Sequence, residues 1–319
     1  MAQAEQATLP RATGWGRLVA SPTYQSFSRL ALGGERRRLI LLGLIPLVWL
    51  AVCHLGPITQ MVRFSFYSEY PLTAGREATF TAAHYLAFLT ERIYMVPFLR
   101  TLVFALTVTA ITLVVVYPIA YFIAKRAPAS RQIRYLLILL APFWVSYIIR
   151  TFAIMVMLGN RGFLNLVLMN LGLIERPIPF MYTYFSLGTG VLYLSVLYML
   201  LPLYAAIEKI DDNLLEASAD LGAGPMRRFW RITLPLSKDG IAAGCTLVFL
   251  LATGYYAVPL LLGGPGTTLF AETIGNFFHV AGDRWPVGAA FALIMLVSSL
   301  VVVFLFYRML GTKGARLMS

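Results

Sequence analysis

Of the 319 residues, 59% are hydrophobic and 13% charged, with a mean hydropathy of +0.75. A soluble domain carries about 25% charged residues, so this balance excludes a water-solvated globule and requires lipid around much of the chain. The two cysteines, Cys53 and Cys245, both lie in apolar runs and imply no disulfide framework, while the net charge of +12 points either to an anionic partner or to membrane topology.

Residues 1–38 are polar and end in Glu35-Arg36-Arg37-Arg38, directly before the first apolar run. Their length and polarity do not match a secretory leader, and they read as an N-terminal tail that stays on the cytoplasmic side. A spanning helix needs about 20 mainly apolar residues, and six stretches meet that need: 39–62, 99–124, 135–158, 181–206, 240–262 and 287–307. The expected fold is therefore an all-α membrane protein with six transmembrane helices. The membrane domain occupies residues 39–310, and residues 311–319 form a C-terminal tail.

Orientation follows from Lys and Arg, which concentrate in cytoplasmic segments. Eighteen of the 26 fall in 1–38, 125–134, 207–239 and 308–319; only seven fall in the alternating segments 63–100, 159–179 and 263–286. Both termini are expected in the cytoplasm. The basic excess is thus a topology signal, and no nucleic-acid partner is expected.

All 14 acidic residues lie outside the six stretches, and Arg150 is the only basic residue well inside one. Ionisable groups within a membrane usually mark proton or ion coupling. Their shortage argues against a proton-driven carrier and places the energy source outside the bilayer. Pro46, Pro118, Pro142, Pro202 and Pro259, with Gly188 and Gly190, fall within the spans. Such breaks are tolerated where neighbouring helices or a cavity satisfy the freed carbonyls, which favours a packed bundle around a path.

Between the fourth and fifth spans lies a polar island, "LLEASADLGAGPMRRFWRITLP", inside the region 211–235. Asp211 or Asp212 is suited to cap a helix start. Glu216 is placed in the first turn, where negative charge suits the dipole, and an apolar stripe follows through Leu214, Leu215, Ala217, Ser218 and Leu221. Gly222 stands where a left-handed residue ends a helix. Gly224-Pro225 restarts one, and Leu234-Pro235 is expected to end it. The small residues Ala217, Ser218 and Ala219 permit close approach, with Leu221, Phe229 and Trp230 as apolar anchors. The plainer alternative is an amphipathic pair lying on lipid headgroups through Arg227, Arg228 and Arg231.

The spacing Glu216-Ala217-Ser218, three residues, Gly222, nine residues, Ile232-Thr233-Leu234-Pro235 resembles the EAA motif of permease subunits in binding-protein-dependent ABC importers. Serine stands in place of the second alanine. The stretches "YPIAYFIAKRAP", "APFWVSYIIRTFAIMVMLGNRGFLN", "LPLYAAIEKIDDNLLEASADLGA" and "DRWPVGAAFA" extend the likeness to the spermidine/putrescine permeases of that family. The resemblance implies a type I importer (MetI-like) fold in a bacterial inner membrane, in which this chain forms half of a translocation pathway. It implies a second permease chain, two ATPase subunits and a periplasmic substrate-binding protein as partners, besides membrane lipid. The island becomes the coupling helix that docks into the ATPase. Glu216 and Gly222 shape its elbow, Ala217 to Leu221 make the contact face, and Ile232, Leu234 and Pro235 complete the motif.

No phosphate loop of the form GxxxxGK[ST] occurs; "GGPGTT" at 263–268 lacks the lysine. His54, His84 and His279 have no partner at metal-ligand spacing. No cofactor and no catalytic centre are expected in this chain, ATP and Mg being used by the partner ATPase. For cargo, Trp144 and Tyr147 in the third span and Tyr255 and Tyr256 in the fifth offer rings to a polyammonium, about 0.5–2 kcal/mol each. Glu272 and Asp283 in the last external loop are placed to guide a cation. An interfacial aromatic belt is the alternative reading of the rings. Arg150 either repels cations or anchors its span near the headgroups. Another small solute, such as an opine, amino-acid conjugate or phosphonate-like anion, remains open for the same scaffold. A channel or carrier needing no ATPase is the reading from a different class.

Overall fold

The computed structural model describes residues 21–22, 35–70, 79–279 and 284–310. Among them the regular structure is helical, apart from isolated bridges pairing Tyr67 with Phe80 and Tyr70 with Arg284. A backbone in lipid must satisfy its own polar groups, and a helix does so within one segment. The tails expected at 1–38 and 311–319 lie almost wholly outside the described residues.

Contacts divide the chain into residues 1–60 and 61–319. Apart from residues 21–22, the described part of the first unit is most of α1 (Glu35–Ser65), a helix whose side chains from Leu42 to Gln60 are almost all exposed. In the second unit, α2 (Ala83–Thr90) leads into α3 (Arg92–Tyr121), which continues through a π turn at Phe122–Arg126. The Ala127 N–H donates to the Phe122 carbonyl at 2.9 Å, five residues back.

The third expected span, 135–158, is not one helix. The structure has α4 (Ala129–Leu140), a 3₁₀ turn at Ala141–Trp144, and α5 (Tyr147–Leu158). Pro142 donates no N–H and so interrupts the regular hydrogen-bond ladder, although Ala141 before it keeps helical angles, and the chain extends at Val145 and Ser146 before α5 restarts. The apolar run continues after a turn into α6 (Phe163–Asn170), so the segment long enough to cross a membrane is Tyr147–Asn170. Among the described residues four others qualify by length and composition: Leu42–Ser65, Arg92–Arg126, Tyr184–Glu208 (α7) and Trp285–Leu310 (α13). A sixth is the pair α9 (Pro225–Leu236) and α10 (Lys238–Gly254), bent by 67°. The fifth expected span, 240–262, is likewise divided: α10 ends at Gly254, Tyr255 is extended, and α11 (Ala257–Leu262) follows.

Spans α3, α7 and α10 form the packed heart of the second unit. Gly240 and Gly244 lie one turn apart on α10. A Cβ on Gly240 would stand 2.6 Å from the Pro202 carbonyl oxygen, and one on Gly244 would stand 2.6 Å from the Met199 sulfur, both on α7. Small residues at this spacing let backbones approach where no hydrophobic drive separates helix from lipid. The remaining core fills with Leu187, Val191, Leu194, Leu200, Leu203 and Phe249, all at most 1% exposed. Two buried hydroxyls are paired with backbone groups. Thr101 on α3 accepts from the Phe270 N–H at 2.7 Å, holding the start of α12 (Phe270–His279), and the Ser186 hydroxyl donates to the Leu262 carbonyl at 2.8 Å.

Candidate functional site: a helical elbow and a tyrosine-lined cavity

The polar island folds as two helices meeting at a glycine corner. The first is α8 (Asp212–Asp220). Asp211 is its cap, the carboxylate accepting the Asn213 N–H at 3.0 Å. The acid of the first turn is Asp212, not Glu216, which sits a turn later. The helix closes in a Schellman arrangement: the Gly222 N–H donates to the Ala219 carbonyl at 2.8 Å and the Ala223 N–H to the Ser218 carbonyl at 3.0 Å. Gly222 has φ +79°, a left-handed value that a side chain disfavours.

Gly224 then precedes Pro225 at the first position of α9. Contrary to expectation, Leu234-Pro235 does not end this helix, which runs to Leu236 and turns at Ser237. A π turn at Phe229–Thr233 explains the tolerance. The Leu234 N–H reaches back to the Phe229 carbonyl, and this wider turn gives room for a proline whose ring clashes with a regular preceding turn.

Glu216, Ala217, Ala219, Leu221 and Gly222 are exposed, Leu221 at 89%. Ser218 is half-buried and its hydroxyl donates to the Leu215 carbonyl at 2.8 Å. Ile232 and Leu234 are half-buried, Leu234 against the core, and Pro235 is exposed. The predicted anchors separate: Leu221 and Trp230 face outward, whereas Phe229 packs edge-on against Tyr117 at 5.4 Å between ring centres. The elbow thus offers a small, smooth tip while its base is fastened to the bundle. Lys125, on the π turn after α3, is the principal fastener. Its Nζ donates to Asp212 Oδ1 at 2.8 Å, to the Glu208 carbonyl at 3.4 Å and to the Ile210 carbonyl. Arg228 ties the two arms, donating to the Leu215 carbonyl at 3.3 Å.

A second feature sits where the broken spans meet. Tyr147 at the start of α5 and Tyr255 and Tyr256 at the α10–α11 break line a cavity of about 350 Å³ together with Arg150 and Tyr198. Trp144 does not join them; it is 84% exposed at the end of the 3₁₀ turn. The Arg150 guanidinium lies 4.4 Å from the Phe143 ring centre and 6.0 Å from that of Tyr193. Its Nε and Nη1 are shut from solvent and have no acceptor among the described residues. Ring faces are attractive to such a cation.

Glu272 lies in the first turn of α12, half-buried, with Oε1 accepting the Leu269 N–H at 3.4 Å. Burial pushes its carboxyl above the ordinary carboxylate range, partly offset by that hydrogen bond. It caps a helix rather than presenting a free charge. Asp283 lies outside the described residues.

Three residues escape a sequence reading. Tyr198 joins the cavity from α7, and its spacing from Leu194 is the only local hint, since i and i+4 share a helix face. Lys125 and Ser237 act through partners distant in the chain and leave no local signal.

The sequence family described as "Binding-protein-dependent transport system inner membrane component" matches residues 132–313. The spermidine/putrescine transport system permease protein PotB of Haemophilus influenzae is 40% identical over 200 residues, covering 63% of this chain and 69% of the relative. PotB of Salmonella typhimurium is 38% identical over 260 residues, covering 82% and 89%. Among solved structures, a bacterial ABC transporter involved in the import of the acidic polysaccharide alginate matches with a TM-score of 0.65 at 19% identity, covering 88% of this chain and 98% of that one; this is a likeness of fold. From the 132–313 match and the extent of the relatives' identity, the chain belongs to the family of inner membrane components of binding-protein-dependent transport systems.

Proposed function

We propose that this permease subunit forms half of the pathway by which a polyamine of the spermidine or putrescine kind enters the cell, driven by a separate ATPase through the elbow at 211–235. The observation that carries the reading is the contrast within that elbow. A Schellman-closed helix presents Ala217, Ala219 and Leu221 outward while its base is bonded into α3 and α7. An amphipathic pair resting on lipid has no need of so rigid a corner beside so small a tip. The elbow lies on the cytoplasmic side with both termini, as the Lys and Arg distribution favours. A second permease chain, two ATPase subunits and a periplasmic binding protein complete the importer. ATP binding alters the ATPase's affinity for the two states of the pore, and that difference is the energy available for rocking the bundle.

Polyamine cargo is supported by the names of the relatives and by the tyrosine cavity, whose ring faces attract ammonium groups. Arg150 in the same wall favours a second reading, a cargo bearing a carboxylate or phosphonate. The deciding experiment measures the affinity of the cognate binding protein for spermidine, putrescine, opines and aminophosphonates, and then uptake of each through the reconstituted importer. Tight binding and ATP-dependent uptake of polyamines is the expected result. Preference for the anionic compounds overturns the polyamine assignment in favour of the second reading.

A further inference from the structure

The inner end of α3 holds the elbow at both of its ends. At the entry, Lys125 stands between the last carbonyls of α7, Glu208 and Ile210, and the Asp212 carboxylate at the first position of α8. Its side chain is 5% exposed although that of Asp212 is 72% exposed, so the ammonium is enclosed while its partner stays wet. The site suits a cation from both sides: helix C-termini carry negative partial charge, and three ammonium donors meet three acceptors. At the exit, the Tyr117 hydroxyl and the Ser237 hydroxyl are 2.8 Å apart where α9 turns into α10, both residues buried. The Tyr117 ring also supports Phe229 within the π turn of α9. Tyr117 and Lys125 lie eight positions apart on one continuous helical segment, closed at its end by the π turn at Phe122–Arg126. Such turns recur where a helix must aim a particular side chain.

We propose that α3 is the element that receives motion from the elbow, with Lys125 and Tyr117 as positioning residues that clamp the elbow's entry and exit. The proposal rests on the coupling role given to the elbow above. A displacement applied at the exposed tip around Leu221 can move the bundle only through covalent connections and the contacts at the base. Covalent connections alone leave α8 free to tilt about Gly222 and the 209–211 link. The clamp removes that freedom, so tilt of α8 becomes displacement of α3, the span packed against both α7 and α10.

The test uses the complete importer with binding protein, in proteoliposomes, and Lys125→Met, Lys125→Arg and Tyr117→Phe variants. Each is read for ATPase co-purification, basal ATP hydrolysis, binding-protein-stimulated hydrolysis and uptake. Lys125→Met is expected to assemble with its ATPase at the normal ratio yet lose uptake per ATP by about tenfold, the scale of losing a charge-assisted hydrogen-bonded site. Lys125→Arg is expected to recover most of it, and Tyr117→Phe, which keeps the ring, to show a smaller loss in the same direction. Unchanged uptake per ATP in Lys125→Met overturns the clamp, as does loss of uptake only in step with loss of assembly. Should Lys125→Met not accumulate, Asp212→Asn and Tyr117→Phe carry the test: reduced uptake per ATP at normal assembly supports the clamp, and unchanged uptake per ATP in both overturns it. A Leu221→Asp control separates the two claims. If it transports normally, the elbow has no coupling role; if it fails while Lys125→Met transports normally, the clamp alone is wrong.

Discussion

Substitution of Gly222 isolates the geometry of the elbow from its chemistry. The residue has φ +79°, and a Cβ built there meets no atom of the described residues within 4 Å. Steric crowding among the described residues is therefore absent, and the cost of a side chain is conformational. A left-handed conformation costs a non-glycine residue roughly 1–2 kcal/mol, less for Asn, whose short polar side chain bonds locally. That corresponds to about a 5- to 30-fold fall in the population of the closed elbow. β-Branched residues fare worse still, a positive φ being an outlier for them. Uptake and stimulated ATP hydrolysis in the reconstituted importer should thus rank Gly first, then Asn, Ala and Val, while membrane insertion stays unchanged. Near-wild-type uptake by Gly222→Val refutes the coupling role of the corner. A ranking by side-chain size, with Asn no better than Val, refutes the conformational argument and points to crowding against the docked partner.

Tyr255→Ala with Tyr256→Ala should slow polyamine uptake while leaving stimulated hydrolysis in place, and Trp144→Ala should do neither; equal effects of the two changes would return all the rings to an interfacial belt. Arg150→Met in the purified subunit is expected to keep or raise thermal stability. The change removes two buried donors that lack acceptors among the described residues, a penalty set against a desolvated cation–π contribution of about 2 kcal/mol; a clear fall in melting temperature contradicts this. Glu272 binds its proton more tightly folded than unfolded. Stability should therefore be greatest below the ordinary glutamate pKa and decline as pH rises toward the raised folded value. Glu272→Gln should remove that slope and stabilise the subunit at neutral pH; an identical pH profile for both proteins contradicts the assignment.

Much of the elbow is legible in the sequence because its determinants are local. Asp211, Gly222 and Pro225 each act within a few residues, so cap, corner and restart can be placed from spacing alone. Four of the six spans are continuous helical segments as expected, whereas the third and fifth are legible as apolar stretches but not as broken helices. A composition window reports compatibility with lipid; it is blind to the missing N–H of Pro142 and to the extended backbone at Tyr255. Pro235 misleads in the opposite sense, since its tolerance depends on a five-residue hydrogen bond at Phe229 that composition does not encode. Lys125 is hidden for a different reason: its carboxylate partner lies 87 positions away. In sequence it looks like one more cytoplasmic positive charge, and only the fold reveals it as enclosed. Glu272 likewise looks like an external acid, and burial changes its meaning.

The central claim is that this subunit is a gate with no motor of its own. Proteoliposomes holding the permease pair, with labelled spermidine and binding protein outside and ATP inside, test it when prepared with and without the ATPase subunits. Accumulation against a gradient only when the ATPase is present is the predicted result. Concentrative uptake by the permease chains alone would contradict it.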